Sequence, residues 1–439
     1  MSKLLIFLCL FLFTVPLFAQ DIKVARLSCG YRNNPIGIDF VSPDLSWKLQ
    51  SSKHNVMQSA YQLLVSGSLT NLNKNIGDVW DTKKVSSGQS IQIQYKGAKL
   101  LSARTYYWKV RVWDNLGNES AWSNAAFWQM GLLSGEDWKG AKWIAFEKLA
   151  DSNLDILPTD GKKDKYNANN ILPMFRKNFS VSKAIKKATA FISGLGHFEM
   201  TLNGEKVGDD FLAPGWSKYD KEALYVTYDI TSQLTKGNNA IGVMLGNGFY
   251  HIPPVKGRYR KLKVSYGYPK MICRVLVEYS DGTSANIISN QSWKTALSPV
   301  TFSSIYGGED YNANLEQKGW NLNGFDDQSW KSALLVDGPK LNAQKEEAVK
   351  VFKNFSAQSI KSLPNGEWVY DMGQNSSAII ELKVRGKKGD TVRITPAELI
   401  KADGSVTQKN VGGPSYFTYV IKGEGIETWR PKFFYTGFR

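Results

Sequence analysis

A run in the first third of the chain reads Tyr106-Tyr107-Trp108-Lys109-Val110-Arg111-Val112-Trp113, with a large apolar side chain at every second position. This period of two predicts a strand that presents one face to a core. The same alternation recurs in Leu45-Ser46-Trp47-Lys48-Leu49 and in Ala60-Tyr61-Gln62-Leu63-Leu64-Val65. Gly, Asn, Asp and Ser bound these runs, and no long segment carries the apolar stripe of a helix. The sequence therefore predicts an all-β protein.

The aromatic content indicates how these strands pack. The chain has 439 residues, among them 14 Trp, 20 Tyr and 21 Phe, whose large apolar surfaces suit the space between two facing sheets. We therefore predict tandem β-sandwiches. Trp108, Trp113 and Trp128 are expected in the core of the first sandwich, and a sugar-stacking platform is the alternative for them.

Turn signals and composition divide the chain into modules. About 110 residues with roughly seven short strands predict an immunoglobulin-like or fibronectin III-like sandwich at residues 21–135. A connector and a polar insertion follow at residues 136–170. Residues 171–340 predict a jelly-roll sandwich, in which Asn203-Gly204 forms a type I′ hairpin turn because both residues tolerate positive φ. A third, incomplete module is predicted at residues 343–439.

The last residues, Trp429-Arg430-Pro431-Lys432-Phe433-Phe434-Tyr435-Thr436-Gly437-Phe438-Arg439, read as the end of a strand, a turn and the start of another strand. A strand inside a sheet needs partners for its backbone donors and acceptors. Either the last strand pairs backward with an earlier one, or the sequence is a truncated piece of a longer protein. We favour the second interpretation.

The first residues predict an export signal. Lys3 precedes an almost wholly apolar run at residues 4–18, and Ala19 places a small residue at a cleavage point before Gln20. We predict a cleaved signal peptide at residues 1–19 and hence a secreted or periplasmic protein. A membrane anchor is the alternative, but it needs about 20 apolar residues, and this run is shorter.

Charge and motifs argue against several function classes. The formal net charge is +16, but the basic residues are scattered, whereas nucleic-acid binding favours a concentrated stripe. Attraction to acidic polysaccharide is the functional interpretation of the charge, and a soluble surface with excess Lys is the alternative. His54, His197 and His251 lack zinc spacing, and no phosphate loop or serine nucleophile elbow occurs.

Several short motifs follow one another in a specific order. They include Asn34-Pro35-Ile36-Gly37-Ile38-Asp39, Leu212-Ala213-Pro214-Gly215-Trp216-Ser217-Lys218-Tyr219-Asp220, Leu245-Gly246-Asn247-Gly248-Phe249-Tyr250, Gly308-Glu309-Asp310-Tyr311-Asn312-Ala313 and Tyr370-Asp371-Met372-Gly373-Gln374-Asn375. Each motif is weak alone. In this order they resemble the N-terminal half of bacterial α-L-rhamnosidases of glycoside hydrolase family 78, truncated before the catalytic (α/α)6 domain.

The resemblance implies that residues 343–439 form a partial concanavalin-like sandwich. In the family, the catalytic acid and base lie in the helical (α/α)6 barrel, and nothing in this sequence reads as that barrel. Inverting hydrolysis needs two carboxyls about 6.5–9.5 Å apart. The acids of the second module lie in predicted turns: Glu309, Asp310, Asp326 and Asp327. We therefore expect no catalytic residue here and no hydrolase activity from this chain alone.

The resemblance also directs attention to the jelly-roll loops, because some family members bind rhamnose through this module with the help of calcium. Our candidates for substrate binding are Asn203, Trp216, Asn247 and Tyr250. The aromatic pair could stack on a sugar or anchor the core, and the Asn pair could occupy left-handed turn positions instead.

Calcium prefers about six to eight oxygen ligands, and the candidate metal ligands are Glu309, Asp310 and Asn312. The alternative is that these residues form a turn that caps a strand. Asn312-Ala313-Asn314 also departs from the Asp-Ala-Arg that is common in the family, which weakens any expectation of a charge-dependent contact there.

Three functions remain open. The first is the N-terminal accessory region of a secreted α-L-rhamnosidase that removes terminal α-L-rhamnose from plant glycans or rhamnosides by inverting hydrolysis. The second is a stand-alone rhamnose-binding protein, and the third is an architectural or adhesin-like array. We expect a rhamnose-containing carbohydrate as partner, with neither nucleic acid nor membrane, and the sequence leaves the oligomeric state open.

Overall fold

A computed structural model describes residues 22–154, 156, 170–409 and 411–439. The predicted signal peptide and most of the polar insertion lie outside these residues. The described chain divides into two compact units. The first comprises Phe40–Gln129 with the chain up to Pro35, and the second comprises Ile36–Asp39 and Met130–Arg439.

The first unit is built from two sheets. Its strands are β1 (Lys23–Cys29), β2 (Asp44–Gln50), β3 (Gln58–Ser66), β4 (Trp80–Asp81), β5 (Val85–Ser86), β6 (Ile93–Gln94), β7 (Thr105–Asp114) and β8 (Ala126–Gln129). One sheet has the order β1-β2-β6, and the other has the order β4-β3-β7-β8 with β5 added to β3. A short helix, α1 (Leu69–Asn73), follows β3. The predicted core residues Trp108, Trp113 and Trp128 are buried, which confirms that interpretation.

The second unit begins with a larger sandwich. Its strands up to residue 343 are β9 (Trp143–Ala145), β10 (Pro173–Val181), β11 (Ile185–Leu195), β12 (His197–Leu202), β13 (Glu205–Lys206), β14 (Asp210–Phe211), β15 (Glu222–Asp229), β16 (Gly237–Gly246), β17 (Lys270–Tyr279), β18 (Ser284–Ile288), β19 (Lys294–Leu297), β20 (Val300–Ser304), β21 (Gly308–Asn312), β22 (Lys331–Ser332), β23 (Leu334–Val336) and β24 (Lys340–Ala343). Single 3-10 turns lie at Gly135–Trp138, Asp151–Asn153 and Ala313–Leu315.

Two of these sheets face one another across one apolar core. Their orders are β13-β12-β16-β10-β19-β22 and β23-β9-β17-β11-β15-β24, with β18 beside β17. Buried residues of both sheets, such as Phe175, Ile192, Val243 and Val275, form the core cluster. The turn between β12 and β13 has positive φ at both Asn203 (52°) and Gly204 (88°), as predicted for a type I′ hairpin.

The remaining strands follow residue 343. They are β25 (Val349–Lys350), β26 (Ser359–Ser362), β27 (Trp368–Asp371), β28 (Ser376–Ala378), β29 (Leu382–Val384), β30 (Thr391–Ile394), β31 (Leu399–Ile400), β32 (Val406–Thr407), β33 (Phe417–Val420), β34 (Glu427–Trp429) and β35 (Thr436–Phe438). The all-β prediction is confirmed. None of the helices in the described residues is long and apolar enough to cross a membrane.

One sheet joins residues from both sides of the predicted boundary at 340–343. Its order is β20-β21-β33-β30, and β21 pairs with β33 in parallel. Tyr311, Phe417, Tyr419, Trp429 and Phe433 lie buried in one core cluster beside it. A parallel pairing between strands about a hundred residues apart leaves no local turn signal in the sequence.

The last strand of the chain has a partner. β35 pairs with β28 in an antiparallel ladder, and the backbone N–H of Arg439 donates to the carbonyl of Ala397 at 3.0 Å. The last strand therefore pairs backward with an earlier one, which is one of the two alternatives drawn from the sequence. β28 lies some 60 residues upstream, so no hairpin links the two strands and no local turn signal predicts their pairing.

A buried carboxylate fastens the segment after β34 to β21. Glu309 is fully buried and accepts hydrogen bonds from the backbone N–H groups of Lys432 (3.0 and 3.2 Å) and Phe433 (2.8 Å). Burial raises the pKa of this carboxyl from 4.5 to about 7, although the two N–H donors act in the opposite direction.

Glu309 should therefore make stability depend on pH. Burial raises the pKa of Glu309 in the folded protein. Between pH 4.5 and about 7, Glu309 is therefore protonated in the folded protein but ionised in the unfolded protein. This contribution is fully present below pH 4.5 and is lost as the pH rises through about 7. When the pH is lowered from 8 to 5, we expect the free energy of unfolding of wild type to rise, relative to that of Glu309→Gln, by on the order of 3 kcal/mol.

Denaturant unfolding of both proteins at each pH measures this difference. Glu381→Gln, at an exposed glutamate, is the matched control and should follow wild type at each pH. Parallel curves for wild type and Glu309→Gln would show that the buried carboxyl does not titrate in this range.

Candidate carbohydrate-binding surface

Four aromatic side chains of the second unit form a connected surface, which we call the aromatic surface: Trp216, Phe249, Tyr259 and Tyr306. Trp216 and Phe249 stack with ring centroids 4.3 Å apart and an interplanar angle of 9°. Phe249 meets Tyr306 edge to face at 6.1 Å, and Tyr306 meets Tyr259 in the same way at 6.0 Å. Trp216 is 61% exposed, so the surface presents an indole face to solvent.

Loops position these rings. Trp216 lies between β14 and β15, Phe249 and Tyr259 lie in the long connection from β16 to β17, and Tyr306 lies between β20 and β21. The long connection is pinned at its base, where the Ile252 N–H donates to the Val264 carbonyl at 3.0 Å and His251 Nδ1 lies 2.8 Å from Ser265 Oγ. These two contacts hold the beginning and the end of the connection together.

Arg258 fastens the same connection to β21. Its guanidinium makes two hydrogen bonds to Asp310, at 2.5 and 2.7 Å, and donates to the Gly307 carbonyl at 2.9 Å. It also lies 3.3 Å from the centroid of the Tyr416 ring. Nη2 makes both bonds to Asp310 and Nη1 makes the bond to Gly307, so contacts from two nitrogens fix the guanidinium in direction as well as distance. The neighbouring Tyr259 is thereby held next to Tyr306.

The four predicted sugar-binding residues lie in different environments in the structure. Trp216 lies on the aromatic surface. Tyr250 is 2% exposed, and its hydroxyl donates to the Tyr266 carbonyl at 2.9 Å, so it anchors the core. Asn203 donates to Asn239 Oδ1 at 2.9 Å and accepts from the Ala240 N–H at 2.9 Å. Its side chain therefore serves the hairpin turn.

Asn247 lies beneath the aromatic surface. It is fully buried, and its Nδ2 donates to the Ser303 carbonyl at 2.7 Å. Its Oδ1 has no hydrogen-bond partner among the described residues. Since the Tyr250 N–H donates to the Asn247 carbonyl, these two residues support Phe249 from within and do not meet solvent.

The predicted calcium ligands do not fit a calcium ion. Glu309 and Asp310 are successive residues of β21, so their side chains point to opposite faces. Glu309 already accepts from two backbone N–H groups, both oxygens of Asp310 meet Arg258, and Asn312 accepts from the Asn314 N–H. Across the described residues, no three His, Cys, Asp or Glu side chains gather closely enough to hold a metal ion.

Other titratable side chains of this unit are also engaged in structural contacts or buried. Asp327 forms an ion pair with the buried Arg176, and Asp326 accepts from the Gln328 N–H at 3.0 Å. Burial lowers the pKa of both His197 and His251 to about 4, so both imidazoles are neutral near pH 7. None of these groups forms the opposed carboxyl pair that glycoside hydrolysis requires.

The sequence missed Phe249, Tyr259 and Tyr306 as surface residues. Phe249 and Tyr250 are neighbours, and their side chains take opposite environments, one on the surface and one in the core. The dipeptide itself indicates that the two rings lie in different environments. The packing of Tyr219 and Tyr266 around Tyr250 decides which ring is buried.

Three family models match the chain in succession. The Rha78A-like N-terminal immunoglobulin domain matches residues 24–134, and the alpha-L-rhamnosidase N-terminal domain matches residues 183–353. The bacterial alpha-L-rhamnosidase concanavalin-like domain matches residues 361–439. The immunoglobulin-like and concanavalin-like sandwiches predicted from the sequence are thus confirmed.

Relatives named alpha-L-rhamnosidase extend over nearly all of the chain. One from Formosa agariphila is 36% identical over 430 residues, covering 93% of this chain and 44% of that protein. A solved rhamnosidase from Dictyoglumus thermophilum has a TM-score of 0.85 and 41% identity, with 95% of this chain and 46% of that chain covered. A Streptomyces avermitilis rhamnosidase complexed with L-rhamnose has a TM-score of 0.85 and 26% identity, with coverage of 95% and 55%.

The chain thus spans less than half the length of that curated relative. Sequence identity, the order of the matched domains and the fold agree with one another. The resemblance drawn from the sequence is confirmed, and the chain corresponds to the N-terminal half of bacterial α-L-rhamnosidases.

Proposed function

We propose that this chain is the accessory region of a secreted α-L-rhamnosidase that removes terminal α-L-rhamnose from plant glycans or rhamnosides with inversion. The observation that carries this proposal is that acidic side chains of the second unit are engaged in hydrogen bonds and ion pairs within the fold. Glu309, Asp310 and Asp327 each hold a structural partner, which leaves them unsuited to act as acid or base. Chemistry then belongs to another part of a longer protein.

Exposed apolar side chains beyond residue 343 support this proposal. Two-stranded sheets such as β26-β27 and β31-β32 occupy this region, and a lone hairpin is marginally stable in water. Large apolar residues on them are exposed, among them Ile360, Trp368, Leu399 and Ile400. Large exposed apolar patches mark packing partners, and we infer that the remainder of a rhamnosidase covers these side chains.

The aromatic surface gives the accessory region a role in binding. A pyranose has an apolar face of C–H groups that can lie on an indole ring, and the methyl group of a 6-deoxyhexose such as L-rhamnose adds apolar area. Trp216 is backed by Phe249, so little side-chain freedom is lost when a sugar stacks on it. We infer that this surface holds rhamnose-containing carbohydrate.

Stand-alone sugar binding and a purely architectural array are the competing functions. The exposed indole of Trp216 favours binding over architecture. The export that we propose rests on residues 1–19, which read as a signal peptide.

Hydrolysis is the first test. We expect the purified chain to release no nitrophenol from p-nitrophenyl α-L-rhamnopyranoside above the uncatalysed rate, because Glu309, Asp310 and Asp327 are engaged in structural contacts. Glycosidase catalysis accelerates such reactions by about 10⁶-fold or more, so its presence is easy to detect. Cooperative thermal unfolding of the same sample shows that the protein assayed is folded.

Turnover that Glu309→Gln or Asp310→Asn abolishes would contradict this proposal and place the acid or base on β21. Turnover unaffected by both variants would contradict it as well, since another residue of the chain would then act as the catalyst.

Calorimetric titration with L-rhamnose tests the aromatic surface. We expect binding at millimolar sugar and about tenfold weaker binding by Trp216→Ala, because the apolar area buried on the indole contributes about 25 cal/mol per Å². The same heat is expected with calcium or with a chelator, since the oxygens of Glu309 and Asp310 are already engaged.

Trp368→Ala is the matched control, because Trp368 is 63% exposed and lies on β27. It should bind as wild type does. Absence of heat from wild type, or equal losses in the two variants, would count against the surface.

A further inference from the structure

A groove separate from the aromatic surface lies between three segments of the second unit. It is lined by the turn from β13 to β14, by residues that follow β24, and by Arg430 directly after β34. Its cavity of about 420 Å³ falls within the size range of small-molecule sites. We call it the basic groove because Lys206, Lys350 and Arg430 lie along it.

Positive charge exceeds negative charge in the basic groove. Asp209 is the acidic side chain along its lining, and it pairs with Lys350 at 2.9 Å. Lys206 Nζ donates to the backbone carbonyl of Asp210 at 2.5 Å and forms no ion pair among the described residues, although the charges of Glu199 and Asp210 act on it. The exposed Arg430 guanidinium lies 5.9 Å from the centroid of the Phe211 ring, and no carboxylate pairs with it among the described residues.

These cations act on one another. Burial lowers the pKa of Lys206, the charges of Glu199 and Asp210 raise it, and the charges of Arg430 and Lys432 lower it by smaller amounts. Glu199 is itself paired with Lys432. An anion between Lys206 and Arg430 would relieve this repulsion and would form charge-assisted hydrogen bonds with both donors.

An aromatic ring stands at the edge of the same groove. Phe352 is 93% exposed, although a Phe side chain gains free energy from burial. The neighbouring strand β14 is held in place, because the Tyr228 hydroxyl donates to Asp210 Oδ2 at 2.6 Å. Gly208, with φ of 74°, leaves no room for a side chain against the Tyr228 ring. The groove thus joins cationic side chains to an exposed apolar ring.

We infer that the basic groove binds an acidic sugar residue, with its anionic group between Lys206 and Arg430 and its ring against Phe352. A hexopyranose offers both parts, namely an apolar ring face and a carboxylate or a sulfate ester. The groove is compact and lacks the extended basic stripe that a nucleic-acid backbone requires. This site does not depend on the aromatic surface or on rhamnosidase activity.

Calorimetric titration of the purified chain at about 150 mM salt, where long-range charge effects are screened, tests the inference. The ligands are tetragalacturonate, a sulfated maltotetraose and neutral maltotetraose. We expect binding of at least one acidic ligand and none of the neutral one. Arg430→Gln and Phe352→Ala should each weaken that binding about tenfold. Tighter binding of the first or second ligand identifies a carboxylate or a sulfate as the anion.

Two control variants separate the groove from the overall charge of +16. Arg385→Gln removes the same charge from an exposed arginine just after β29, and Trp368→Ala removes an exposed ring elsewhere. Both should bind acidic sugar within twofold of wild type. Equal losses in Arg430→Gln and Arg385→Gln, no binding of either acidic ligand, or tighter binding of a single-stranded tetranucleotide would overturn the inference.

Discussion

The position of β21 depends on a carboxylate that has no access to water. Glu309 accepts backbone hydrogen bonds from Lys432 and Phe433, and removal of one partner of such a buried group costs about 1–3 kcal/mol or more. Phe433 packs directly against Gly246, where a side chain would not fit. Gly246 ends β16, and Asn247 and Phe249 follow it. One buried acid therefore sets the starting point of the loop that carries the aromatic surface.

The next residue of β21 completes this arrangement from the opposite face. Asp310 holds Arg258, and Arg258 belongs to the same long connection as Phe249 and Tyr259. Alternation along one strand thus directs two acids to two different segments. Both carboxylates position loops, which explains why residues that resemble a metal site in sequence do not direct their oxygens to one point, as a cation requires.

Local patterns predicted what local geometry determines. Alternation in residues 106–113 predicted β7, and Asn203-Gly204 predicted the hairpin turn between β12 and β13. The parallel pairing of β21 with β33 and the pairing of β35 with β28 join strands that lie far apart in sequence, so no short motif encodes them. Likewise, Asp310 reads as a free ligand until Arg258, 52 residues away, is placed beside it.

Exposed apolar side chains have two different physical settings in this protein. Trp216 is backed by a parallel ring, and Phe352 lines the same groove as Lys206 and Arg430, so each has polar or aromatic neighbours suited to a small ligand. Ile360 and Ile400 instead lie exposed on two-stranded sheets. A sandwich gains most of its stability from the second layer. Exposure therefore indicates a ligand only where the surrounding side chains are already fixed, and elsewhere it indicates a surface that protein covers.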